Sequence, residues 1–177
     1  NIEQIKAVVA DTPYDFLRKD PRLGKNIILL TLGGSHAYGM EKEDSDLDIR
    51  GITLNSKQEI LLGKDFQTIT DLPTDTAIYS FNKIIELLTK ANPNTVEQLG
   101  CKPEQYLYLS EIGKELLANR KMFLSKLCIH SFGNYGQAQL RRLENKSARL
   151  TSQAEYERHI LNSIENAVFT FREHYLT

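Results

Sequence analysis

Asp46 and Asp48 stand two positions apart, and Gly33, Gly34 and Ser35 lie upstream, with ten residues between Ser35 and Asp46. Residues two apart on an extended segment project from one face, so both carboxylates are aimed at one spot while Leu47 and Ile49 turn toward a core. Like charges held together are costly unless a cation compensates, and hard oxygen ligands suit Mg2+ or Mn2+ far better than zinc. A divalent-ion site on Asp46 and Asp48 is the economical reading. Consecutive glycines let the backbone approach a ligand, free N–H groups where a strand turns into a helix cradle phosphate, and Ser35 adds a hydroxyl donor. Two ions there could activate an acceptor hydroxyl and steady a triphosphate during in-line displacement at the α-phosphorus.

The elements that must position these groups follow from hydrophobic period. Ile2, Ile5, Val8 and Val9 recur at helical spacing, and Asp11-Thr12-Pro13 opens a second short helix, so residues 1–19 read as two packing helices. Residues 26–32 form a short, continuous apolar run that suits a buried strand ended by Gly33-Gly34. Residues 35–40 read as a short helix or loop, and 47–54 as a second strand that would carry both aspartates. A brief helix is expected at 57–62 and further strands at 66–70 and 75–80. From Phe81 the period shifts: Phe81, Ile84, Ile85 and Leu88 make one apolar helix face. Everything beyond reads as helical, with Asn94 to Glu97 spaced as a capping box and long amphipathic patterns from Phe132 to Leu150 and from Tyr156 to Phe171.

The expected class is therefore α+β, a mixed β-sheet flanked by helices with a C-terminal helical region. The catalytic domain would span 1–100, with its core at about 20–100. Residues 101–177 would close the nucleotide cleft, and the last pattern runs to Thr177 without a stop signal, as in a truncated chain. Hydrophobic residues make up 41% and charged residues 25% of the chain, an ordinary globular balance. No apolar run approaches the roughly 20 residues of a membrane span, and no secretion signal opens the chain, so the expectation is a cytoplasmic protein without a membrane partner. Cys101 and Cys128 lack metal-site spacing and read as buried thiols. The net charge of −1 argues against a generic nucleic-acid binder. Residues 1–100 nevertheless carry 15 acidic and 11 basic side chains, whereas 101–177 carry 8 and 11. Arg120, Lys121, Lys126, Arg141, Arg142, Lys146 and Arg149 form a basic stretch that could meet a triphosphate or an RNA backbone, or be only a solvated helix face.

The Gly-Ser pair followed about ten residues later by Asp-x-Asp resembles the signature of the nucleotidyltransferase superfamily that includes DNA polymerase beta. GGSHAYGMEKEDSDLDIRGI, with DTAIYSFNKIIELLTKANPNTVEQL, is more closely similar to bacterial and phage predicted nucleotidyltransferases associated with RNA ligases. The resemblance covers roughly residues 27–100. It implies that Gly33, Gly34 and Ser35 bind a nucleoside triphosphate and that Asp46 and Asp48 bind Mg2+ or Mn2+. It also implies a third carboxylate from a neighbouring strand, for which Asp75 is the candidate, with Asp65 and Asp71 as turn-side alternatives. The activity implied is transfer of a nucleoside monophosphate to an unidentified acceptor, an RNA end, a protein hydroxyl or a small molecule, with pyrophosphate released. The alternative is a catalytically silent nucleotide-sensing or antitoxin-like interaction protein on the same fold.

Other residues have a plain reading beside a functional one. His36 and Tyr38 fit structural roles next to the phosphate loop. Asp44 and Ser45 could orient Asp46 or form an ordinary turn. Arg50 could pair with an aspartate or a phosphate. Lys83, on the first turn of the Phe81 helix, could meet the triphosphate or sit on a solvated face. Asn92, Pro93 and Asn94 fit cap and turn chemistry. Base preference and oligomeric state are not readable.

Overall fold

The structure is a computed structural model that describes residues 2–42, 45–64, 66–148, 157–158 and 160–162. The chain divides into two compact units, Asn1–Ser131 and Phe132–Thr177. The first unit opens with helix α1 (Ile2–Val9), a 3-10 turn at Thr12–Tyr14 and helix α2 (Phe16–Lys19). Asp11 caps the 3-10 turn by accepting the Thr12 N–H at 2.7 Å. Strand β1 (Ile27–Leu32) runs into helix α3 (Gly34–Tyr38), and strand β2 (Ile49–Thr53) is followed by helix α4 (Lys57–Leu62). Strands β3 (Thr68–Asp71) and β4 (Thr76–Ser80) lead to helices α5 (Phe81–Thr89) and α6 (Pro93–Leu99). Strand β5 (Tyr106–Leu109), helix α7 (Glu111–Ala118) and the start of helix α8 (Leu127–Ala148) complete the unit.

The five strands form one mixed sheet in the order β3-β4-β2-β1-β5. Only the β2–β4 pair is parallel. Every residue of β1 is buried because both faces of the sheet are covered. On one side Ile27, Leu30, Leu32, Ile49 and Ile78 pack with Val9, Tyr14 and Leu17. On the other Ile28, Leu29 and Ile52 pack with Ile84, Leu88, Leu99, Leu116 and Leu117. A strand buried on both faces shows no alternation, which is why the apolar run at 26–32 was readable as it stood.

The α+β class and the mixed sheet agree with the sequence reading; the all-helical reading past Phe81 does not. Tyr106-Leu-Tyr-Leu adds a fifth strand beside β1, so the sheet extends beyond residue 100. Four residues between a 3-10 turn and a capped helix are too few to show a period, and edge pairing with β1 decides their conformation. The cap of α6 is Asn92, with Pro93 in the first turn, rather than Asn94. Both cysteines are half-buried: Cys101 Sγ donates to the carbonyls of Leu32 at 3.7 Å and Glu97 at 3.6 Å. In the second unit the described residues are the remainder of α8 and helical residues 157–158 and 160–162. Among the described residues no helix is long and apolar enough to cross a membrane. The pattern expected from Tyr156 to Phe171, and Asp44, Asp65 and Arg149, fall wholly or largely outside the described residues.

Candidate active site

Strand register brings three separated segments to one end of the sheet. Parallel pairing of β2 with β4 sets Ile49 opposite Thr76, so the residues just before each strand, Asp48 and Asp75, become neighbours. Antiparallel pairing sets Leu32 opposite Ile49, so the chain leaving β1 at Gly33 arrives at the same place. The Gly33 N–H donates to the Asp48 carbonyl at 2.9 Å, and the Ile49 N–H donates to the Asp75 carbonyl at 3.2 Å.

Neither aspartate lies within β2 as expected, because regular pairing begins only at Ile49. Leu47 packs against the core and Ile49 is fully buried, as the alternation requires. Asp75 is likewise off its strand, at φ 41°, a left-handed conformation that Asp tolerates better than most residues. The turn that places it is fixed by Asp71, whose carboxylate accepts from the Thr74 N–H at 3.2 Å and hydroxyl at 2.7 Å. Asp71 is thereby accounted for as a turn residue.

Asp48 is the centre of the arrangement. Its carboxylate lies so close over Gly34 that a Cβ built there would fall 1.9 Å from Asp48 Oδ2, and Gly34 itself has φ +52°. Glycine is thus required twice at this position, for the backbone angle and for the approach of the carboxylate. One guanidinium bridges the acidic pair: Arg50 Nη2 donates to Asp48 Oδ1 at 2.9 Å and to Asp75 Oδ1 at 3.1 Å. Burial, and then hydrogen bonding and repulsion from Asp75, push the Asp48 carboxyl above the usual aspartate range despite the opposing pull of Arg50. A carboxylate pair disfavoured as a double anion needs a cation, which Arg50 supplies here and which a hard divalent ion could supply in its place.

Asp46 stays exposed and makes no ion pair with a described residue. Among the described residues, Asp46, Asp48 and Asp75 do not converge as a ready set of three ligands. Gly33 precedes α3, Gly34 and Ser35 begin it, and the left-handed Gly39 closes it. Lys83 is held on the first turn of α5 by Glu86, at 2.9 Å, rather than at the Gly34–Asp48 contact. The sequence allows Arg50 an aspartate or a phosphate; it pairs with two aspartates, the second from the turn before β4, which only the sheet register brings near.

Residues that spacing could not reveal hold α3 from the α6–β5 side. Gln105 Nε2 donates to the carbonyls of His36 at 3.2 Å and Ala37 at 2.7 Å. The Tyr38 hydroxyl donates to Glu97 Oε2 at 2.5 Å, so this tyrosine, 54% exposed, is tied down at its tip rather than packed under the loop.

A mixed sheet whose strand ends bring a Gly-Gly-Ser turn against a carboxylate pair is consistent with the fold of DNA polymerase beta-like nucleotidyltransferases. The model of the RNA repair pathway DNA polymerase beta family matches residues 5–165, and the chain belongs to that family. No curated protein and no solved structure gives a significant match.

Proposed function

We propose that this protein transfers a nucleoside monophosphate from a nucleoside triphosphate to an RNA end. The nucleotidyl-transfer part rests on one observation above the others, the Asp48 carboxylate seated against Gly34 with Asp75 beside it. The RNA acceptor rests on the repair context of the family, and the exposed Arg120, Lys121 and Lys126 are compatible with a phosphate backbone.

In this reading the Gly34 N–H and the Ser35 hydroxyl hold the triphosphate, while Gly33, whose N–H is bonded to the Asp48 carbonyl, lets the backbone approach it. Asp48 and Asp75, joined by Asp46 once it turns inward, would hold Mg2+ or Mn2+, which would supply charge neutralisation and acidify the acceptor hydroxyl. The acceptor oxygen forms a bond to the α-phosphorus as the bond to the bridging oxygen breaks, and pyrophosphate leaves with that electron pair. Asp75, whose side chain is 59% exposed, takes the hydroxyl proton in this reading. Arg50 keeps the aspartates in place before a cation arrives. A phosphate contact from Lys83 requires its pair with Glu86 to open. Catalysis is then chiefly positioning and charge neutralisation.

The alternative is a nucleotide sensor or antitoxin-like partner, favoured by the same Arg50 bridge, which satisfies Asp48 and Asp75 without a metal. One experiment separates the two: pyrophosphate release from each of four NTPs with Mg2+ or Mn2+, with RNA and then protein extract as acceptor. Asp46→Asn/Asp48→Asn is the control. The double variant loses transfer by roughly 1,000-fold or more. It keeps its fold, since the Asp48 environment disfavours the charge being removed. Equal turnover in the double variant sinks the mechanism, and NTP binding without release in the wild type selects the sensor.

A further inference from the structure

Gln105 is 69 and 68 residues from the two carbonyls to which its side chain donates. It sits at the end of a 3-10 turn (Pro103–Gln105), immediately before β5, in a segment that carries none of the recognised site residues. Its amide is used from both sides: Nε2 places one proton on the His36 carbonyl and one on the Ala37 carbonyl, while Oε1 accepts the Lys102 N–H at 2.8 Å. Its own carbonyl accepts from the Thr31 hydroxyl at 3.2 Å, so the same residue is tied to β1 two positions before Gly33. Two donors and one acceptor on a neutral group of this reach belong to glutamine alone: glutamate cannot donate twice, lysine cannot accept, and asparagine is one carbon short.

The bonds do more than fill acceptors. Helix α3 has five residues, and its last carbonyls have no partner within the helix. His36 and Ala37 are only half-buried, so water is an available alternative and the net stabilisation is modest. What water cannot supply is direction. With both carbonyls fixed to one planar amide, the rotation of α3 about the Gly33–Gly34 hinge is set, and with it where Gly34 and Ser35 stand over Asp48.

We propose that Gln105 is a positioning residue for the nucleoside triphosphate: its amide fixes the Gly33–Ser35 turn in the orientation that receives the phosphates. This rests on the transferase reading above. Gln105→Ala and Gln105→Glu are compared with the wild type for equilibrium binding of a fluorescent NTP analogue, for KM and kcat of pyrophosphate release, and for Mn2+ binding without nucleotide by electron paramagnetic resonance. Gln105→Ala raises the NTP Kd and KM about tenfold, while kcat changes by less than about threefold, as expected when orientation is lost and chemistry is not. Mn2+ affinity is unchanged, because Asp48 and Asp75 are held by β2, β4 and Arg50. Gln105→Glu is the more defective at pH 8, where an anion faces two carbonyls, and recovers part of its affinity at pH 5, where a protonated carboxyl again donates. A merely structural role would move Tm, Mn2+ binding and NTP binding together and show no such recovery. Unchanged NTP affinity in a folded Gln105→Ala overturns the proposal, as does an equal loss of Mn2+ and NTP binding. Wild-type protein that takes up no NTP is a different failure, that of the transferase reading, and brings this proposal down with it.

Discussion

The two ends of β1 are built on the same device for opposite purposes. Near its start, Gly113 of α7 lets the helix press on the strand so closely that a Cβ would lie 2.1 Å from the Ile28 carbonyl oxygen. Past its finish, Gly34 lets Asp48 press on the chain, with a Cβ position 1.9 Å from the carboxylate. The first contact is neutral, with Leu109 beside it and Ile28 in one apolar cluster with Leu29, Leu116 and Leu117; the second is charged, half-exposed and adjoined by left-handed backbone at Gly34 and Asp75. Close approach of backbone to backbone holds the fold together. Close approach of a carboxylate to backbone is another matter: burial and the neighbouring Asp75 disfavour the charge on Asp48, and Arg50 offsets this only in part.

Substitution at the two glycines sharpens that contrast. Gly113→Ala meets a backbone oxygen that cannot move without displacing β1, so overpacking, typically about 1–3 kcal/mol, outweighs the roughly 1 kcal/mol that alanine gains over glycine within a helix. Urea unfolding reads the loss, and transfer per folded molecule is retained; a variant as stable as wild type would mean that α7 can lift off the sheet freely. Gly34→Ala reverses the pattern. Its backbone cost is about 1–2 kcal/mol for a left-handed residue, while Asp48 must swing off its position, and transfer falls about 100-fold. Gly39→Ala separates the two contributions, since Gly39 has φ +66° with nothing within 4 Å of its Cβ position. It carries the backbone cost and leaves transfer close to wild type. Equal activity losses at Gly34 and Gly39 would remove the Asp48 contact from the account.

The same contrast governs what the sequence disclosed. The neutral end was legible in outline, because a strand buried on both faces must be continuously apolar and the α5 face repeats at helical period. The residue types of the charged end were legible too, as Gly33, Gly34, Ser35, Asp46 and Asp48 lie within 16 positions of one another. Their partners are not written in spacing: Asp75 is named only through the family resemblance, and Arg50 only as one of two choices. Asp75 joins Asp48 only because β2 and β4 run parallel in one register, and Arg50 bridges them only because both precede paired strands. Gln105 reaches α3 through a four-residue edge strand too short to carry a period. Local chemistry is written in adjacent residues, whereas the groups that orient it arrive through pairing.

Arg50→Gln tests the charged end with the smallest expected effect. Removing the guanidinium leaves Asp48 and Asp75 side by side without a cation, and the metal-free protein loses roughly 1 kcal/mol, or about 2–4 °C in Tm for a chain of this size. The sign with pH follows from the Asp48 shift, which is already upward through burial and Asp75. A carboxyl raised in the folded state favours folding while protonated, and that contribution is lost as pH rises through its folded-state pKa, so without Arg50 the deficit opens as Asp48 ionises, above the ordinary aspartate range. At lower pH, where Asp48 is protonated, the deficit narrows to the loss of the Arg50 bonds to the Ile49 and Asp75 carbonyls. Mn2+ at neutral pH restores the lost stability by taking the place of the missing charge. A deficit that Mn2+ leaves untouched would mean that Asp48 and Asp75 are a structural ion-pair site rather than a cation seat, and the likeness between the two ends of β1 would then be complete.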